Sequence, residues 1–268
     1  MVDGHPDPVA LGERSWPEVE SALESGVDTA IVPLGATEQH GPHLPLDTDT
    51  RLAEALGRRL ARRLGDALVT PAIPVGPSEE HAGFPGTLSV SPETLAELLR
   101  EYVGSIDASG FERVVLLPGH GGSFPAVDAV HPELARESEV DVVAVTGLER
   151  YMRLLAEGLR EAGVDVDEPV VHAGASETAM LLAIDPDLVA DDRSEGHAGS
   201  VSAAALFEDG IEAYDENGVL GDPRPATAAV GEELLDHVVD AHAAFVRREV
   251  RELDERGGGA GDEPDPAE

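Results

Sequence analysis

Nineteen residues, Val32 to Thr50, place Glu38, His40, His43, Asp47 and Asp49 within twelve positions of one another. Glu38 and His40 are two apart, so in an extended segment both side chains point the same way. Asp49 returns nine residues later, after a Gly- and Pro-containing loop. Carboxylates mixed with imidazoles suit zinc, manganese or divalent iron; the competing reading is a polar turn facing water. A second group, Pro118-Gly-His-Gly-Gly-Ser123, sets His120 among glycines. Such a loop could instead cradle a phosphate, but it lacks the usual lysine. A third group, His172-Ala-Gly-Ala-Ser-Glu177, brings another imidazole and another acid. Glu177 could simply open a helix, near the positive end of its dipole. Together, Glu38, His40, Asp49, His120 and Glu177 offer three carboxylates and two imidazoles. One metal with an open position needs only three protein ligands. Five ligands with a bridging carboxylate suit two ions about 3.5–4 Å apart, which activate a water and polarise a carbonyl.

The elements around these groups follow from hydrophobic patterning. Thr29 to Leu34 is an apolar run with the character of a buried strand. Leu52, Leu56, Leu60 and Leu64 then form one face of a helix expected from Thr50. The polar cluster therefore lies on a loop at a strand's end, where open α/β sheets bind ligands. Ser15 and Glu18 form a capping-box pair ahead of a short helix. Further strands are expected at Ala67 to Ile73, Arg113 to Leu117 and Val140 to Val145. Helices are expected from Pro92 to about Ile106, around Val127 to Leu134, over 148–163, and from about Ala226 to Leu253. Strand and helix in alternation predict an α/β fold, a three-layer α/β/α sandwich with a mostly parallel sheet. Residues 1–13 read as a loose arm, 14–254 as a single domain, and 255–268 as a disordered acidic tail.

Composition narrows the function. The 268 residues carry 54 acids against 18 basic residues, all arginine, for a net charge of −36. No nucleic acid or anionic membrane partner is expected of such a surface. With no cysteine, thiolate metal sites and cysteine nucleophiles are excluded. No apolar stretch is long enough to span a bilayer, so a cytoplasmic protein is expected. The charge also suggests adaptation to high salt, where repulsion is screened. On that hypothesis stability rises markedly between low and molar KCl, as denaturation at both salt concentrations would show; equal stability in both would remove it.

Thr37 to Asp49, Pro118 to Gly122, His172 to Thr178 and Gly218-Val-Leu-Gly-Asp-Pro223 together resemble the creatininase (creatinine amidohydrolase) family, over about residues 28–245. The resemblance implies a creatininase-like fold, two divalent ions per subunit and a hexamer-like homo-oligomeric ring. It implies Glu38 and His120 on one ion, His40 on the other and Asp49 between them. In creatininase a carboxylate two residues after the His120 position holds the second ion. Here that position is Gly122, and Glu177 is the candidate replacement. His172 is then the proton carrier for the leaving amine. Ser78, Glu80 and His81 resemble a segment lining the substrate site, with scaffolding of their loop as the alternative. His43 is expected to hydrogen-bond behind the ligands, and Asp47 to do the same or to form the turn. The activity implied is metal-dependent hydrolysis of a C–N amide-type bond in a small molecule or short peptide. Two branches fit: a peptidase trimming a mycofactocin-type precursor, and a formamide deformylase of archaeal riboflavin and deazaflavin biosynthesis. The latter's phosphate would need a cation such as Arg51, Arg193 or Arg224. A non-catalytic metal-binding scaffold subunit is the rival from another class.

Overall fold

The computed structural model describes residues 7–166, 172–199 and 201–258. Four strands, β1 (Thr29–Leu34), β2 (Ala67–Val69), β3 (Arg113–Pro118) and β4 (Asp141–Ala144), form one sheet in the order β2-β1-β3-β4, with every pair parallel. Alternation along the strands divides the core. Ile31, Val115, Leu117 and Val143 face one side, and Ala30, Val32, Val114, Leu116 and Val142 the other. The first side is covered by α2 (Thr48–Leu64), α5 (Leu148–Glu161), α6 (Ala175–Ile184) and α8 (Ala228–Gly258). The second is covered by α1 (Trp16–Glu24), α3 (Pro92–Ala108) and α4 (Ser123–Glu137). A further short helix, α7 (Ala203–Asp209), belongs to a small separate cluster with Val201, Ile211 and Leu220. The three-layer α/β/α architecture is thus as expected.

Several boundaries differ from the sequence reading. Helix α2 begins at Thr48, so Asp49 sits in its first turn rather than on the loop. Strand β2 stops at Val69: after the Thr70 amide bonds Ile31 O, the next donor to β1 is the Ile73 amide, to Pro33 O, one residue out of step, and only a single bridge, Leu34 to Ile73, follows. The expected loose arm is not loose over residues 7–13. Val9 accepts a hydrogen bond from the Val69 amide at 2.8 Å, and Asp7 pairs with Arg58 and Arg62. Residues 1–6 lie outside the described part. The expected tail from residue 255 is also shortened, since α8 continues to Gly258; residues 259–268 lie outside the described part. Among the described residues no helix is long and apolar enough to cross a membrane.

This topology fixes where chemistry can occur. The chain leaves β1 toward β2 on one side, while β3 lies on the other, so β1 and β3 flank the switch point of the sheet. Their carboxyl ends emerge in register, Leu34 opposite Pro118, and the Gly119 amide donates to Leu34 O at 2.8 Å. The Glu38 and His120 loops therefore start side by side.

Candidate metal centre

Asp49 occupies the middle of the site. Its Oδ1 is 3.2 Å from His40 Nε2, and its Oδ2 is 3.2 Å from His120 Nδ1. Glu38 spans a neighbouring gap, with Oε2 at 3.4 Å from His120 Nδ1 and Oε1 at 3.3 Å from His81 Nε2. Glu177, in the first turn of α6, places Oε2 3.9 Å from His40 Nε2 and accepts the Ala173 amide at 2.6 Å. His172 Nδ1 lies 3.8 Å from Glu38 Oε1. All these side chains are buried save Glu177, which is partly so. Three groups of ligating atoms converge: Glu38, His40 and Asp49; His40, His172 and Glu177; and Glu38, His81 and His172. The structure thus brings together every expected ligand, and it adds His81, expected only to touch substrate.

The imidazoles are oriented from behind. His120 Nε2 sits 2.6 Å from Pro77 O and 3.3 Å from Ser78 Oγ. Donation to that carbonyl leaves a lone pair on Nδ1 facing Glu38 and Asp49, the tautomer a metal needs. Ser78 is therefore corrected from a substrate contact to a residue under His120: it is fully buried and does not reach the cavity. Gln39 does the same work for His172. Its Oε1 accepts the Gly41 amide, so its Nε2 is the donor end, shared by Gly218 O, His81 Nδ1 and His172 Nε2. His172 Nε2 lies 2.8 Å from both Gln39 O and Gln39 Nε2, so Gln39 occupies this nitrogen and leaves Nδ1 facing Glu38.

The other expected residues divide. His43 supports the site indirectly, its Nε2 3.0 Å from Thr178 Oγ1 on α6 beside Glu177. Asp47 takes the other expected place, at the turn into α2: it pairs outward with Arg51, 2.8 Å away, while Asp49 in the first helical turn points inward. Glu80 lines the cavity, and its buried Oε2 has no hydrogen-bond partner. Gly122 cannot carry the carboxylate found in creatininase, since a Cβ there would lie 2.0 Å from Pro77 O and 2.6 Å from His120 Nε2. The close approach of the Pro77 carbonyl that holds His120 excludes it.

Electrostatics bear out the design of a cation site. Burial opposes charge on all these groups. Yet His40 is pushed up to about 10, because Asp49, Glu177 and Glu38 outweigh that desolvation. Burial raises the Glu177 carboxyl to about 7, helped by Asp49 and Glu38 and opposed by His40. His81 is lowered to about 4, chiefly by burial. Among the described residues no arginine pairs with Glu38, Asp49 or Glu177. Glu38 Oε2 and Asp49 Oδ2 are buried with no hydrogen-bond donor. Buried anionic oxygens without donors are costly, and a divalent cation would satisfy both. The donor set fits such an ion.

The cluster opens into a cavity of about 400 Å³. Its floor is Glu38, Asp49, His120, His172 and Glu177. An apolar wall is built by α5 and α7, including Met152 and Phe207, and by Leu220, which comes from the Gly218–Pro223 loop. A larger groove, about 770 Å³, runs between α1 and α3 but offers no imidazole.

An open parallel sheet with a buried carboxylate–imidazole cluster at its switch point defines a metal-binding α/β enzyme. The creatininase family model, described as creatinine amidohydrolase, matches residues 12–246. A mycofactocin precursor peptide peptidase of Mycolicibacterium smegmatis is 39% identical over 239 residues, covering 84% of this chain and 87% of that protein. Creatinine amidohydrolase of Pseudomonas putida is 29% identical over 255 residues, covering 90% and 97%. The solved structure titled "Creatininase Mn" superposes with a TM-score of 0.75 at 27% identity, over 90% of this chain and 98% of that one. The chain belongs to the creatininase family, and it is a hydrolase acting on C–N bonds.

Proposed function

We propose that this protein hydrolyses an amide bond of a short peptide at a site for two divalent ions, zinc, manganese or iron. The observation that carries the reading is Asp49, with one oxygen toward His40 and the other toward His120. That is the disposition of a bridging carboxylate. Glu38, His120 and Asp49 would hold one ion; His40, Asp49 and Glu177 would hold the other, Glu177 standing in for the carboxylate that Gly122 cannot supply. Bound there, the ions supply a polarised carbonyl and a water acidic enough to attack near neutral pH.

The remaining steps belong to the chain. His172 takes a proton at Nδ1 and returns it to the departing nitrogen, as Gln39 keeps its Nε2 occupied. In the balance, the amide C–N bond breaks, the carbonyl carbon gains the hydroxyl of water, and the nitrogen gains its proton. Glu80 supplies an acceptor at the cavity wall for a substrate N–H.

A peptide is favoured over a phosphate-bearing formamide by the cavity lining, which holds no arginine among the described residues. The three candidates are engaged elsewhere: Arg51 with Asp47 and Asp185, Arg193 with Ala226 O, and Arg224 with Glu195 and Asp222. The named activity of the peptidase relatives supports the same choice. The homo-oligomeric ring implied by the family is retained as part of this reading. Metal-loaded protein should cleave short peptides near their C-terminus in a panel that also contains cyclic amides and formamide ribotides. Turnover of a phosphate-bearing formamide alone would overturn the peptide assignment, and failure to retain metal after loading would overturn the metal site.

A further inference from the structure

Tyr151 stands where the acidic floor of the cavity meets its apolar wall. Helix α5 presents Leu148, Tyr151 and Leu155 at i, i+3 and i+7, one stripe of its surface, and all three line the cavity. The ring is held from two sides. It stacks on Phe124 of α4, with centroids 5.5 Å apart, and lies 6.2 Å from the His242 ring of α8 at an interplanar angle of 25°. Only 8% of the residue is exposed.

The hydroxyl is another matter. Among the described residues no protein group hydrogen-bonds it, and it is not one of the orphaned atoms sealed in the core, so it is left to the cavity that Tyr151 lines. Phenylalanine would satisfy the same stacking. Burial, followed by the charges of Glu177 and Asp49, pushes the phenol above its ordinary pKa, so it stays a donor. Tyr151 lines the same cavity as Glu38, Asp49 and Glu177, residues that would hold the ions. A substrate amide with its carbonyl over that floor and its apolar part on the α5–α7 wall would pass Tyr151.

We propose that the Tyr151 hydroxyl is a catalytic residue: it donates a hydrogen bond to the carbonyl oxygen of the substrate amide and holds that oxygen as negative charge develops on it. No bond to Tyr151 forms or breaks, and it keeps its proton throughout. The inference rests on the amide-hydrolysis reading above.

The test is Tyr151→Phe, which keeps the ring and its stacking, in metal-loaded protein. Loss of one preorganised donor to a developing oxyanion lowers kcat by about 10²–10³. The expected result is a fall in kcat of that order, with KM, metal content and melting temperature unchanged. Affinity for a phosphonamidate peptide, a tetrahedral mimic, should fall by a similar factor, while affinity for the cleaved product should not. A kcat and a phosphonamidate affinity both within about twofold of the unaltered protein would overturn the proposal. So would equal weakening of phosphonamidate and product, which would mark Tyr151 as a general wall contact. The parent reading is judged separately, on the unaltered protein: if it binds the phosphonamidate but hydrolyses no amide, amide hydrolysis falls and the binding ratio still decides Tyr151. If it neither binds nor hydrolyses, both fall.

Discussion

Alanine at His120 should leave a folded protein that no longer retains stoichiometric divalent metal and no longer hydrolyses its substrate. His120 Nδ1 faces both Glu38 and Asp49, at 3.4 and 3.2 Å. Its orientation is set by Pro77 O and Ser78. Losing a residue that merely orients a ligand costs about 10–100-fold in metal affinity or activity, so losing the ligand itself should cost more than about 100-fold. Elemental analysis and turnover measure the two effects; full metal content and full rate would show the assignment to be wrong. Chelation of the unaltered protein offers a second view. In the metal-free protein His40 has its pKa raised from 6.5 to about 10. A raised folded value means that the proton on His40 stabilises the fold fully below pH 6.5, and that this contribution is lost as pH climbs through about 10. Chelation should therefore lower the melting temperature more at pH 10 than at pH 6.5, which parallel melts with and without metal would reveal.

At His172 alanine should have the opposite signature, with metal retained and turnover lost. A positioned proton carrier contributes about 10²–10⁴-fold, and kcat should fall by that factor. The geometry supports this role, since Nε2 is occupied by Gln39 O and Nδ1 faces the floor of the cavity. Burial and the neighbouring His81 and His40 hold His172 well below its ordinary pKa, so it rests neutral and ready to accept. His172 also belongs to two of the three ligating groups. Loss of one equivalent of metal on substitution would reassign it as a ligand.

Much of this was visible in the chain itself. Glu38, His40, Asp49, His120, His172 and Glu177 were each recognisable from residue type beside a strand end or helix start, because ligation depends on local chemistry and on short spacing. The parallel sheet was legible too, because Ile31, Val32 and Val114 to Leu117 are apolar on both faces, as a doubly covered strand requires. Ser78 read as a substrate contact because it shares a loop with Glu80 and His81; it instead lies buried under His120, a contact between segments 42 residues apart that no local pattern marks. Tyr151 falls within the helix expected over 148–163, and nothing in its neighbours marks it as lining the cavity.

The amino-acid sequence by itself determined the set of donors and the strand ends that carry them, since both are properties of neighbouring residues. Only the tertiary structure decided how they face one another: Gln39 steering His172 from 133 residues away, the Pro77 carbonyl closing off Gly122, and α5 swinging Tyr151 against Phe124. Those contacts join segments remote in the chain, and they arise from how the helices pack across the sheet, which no local pattern encodes.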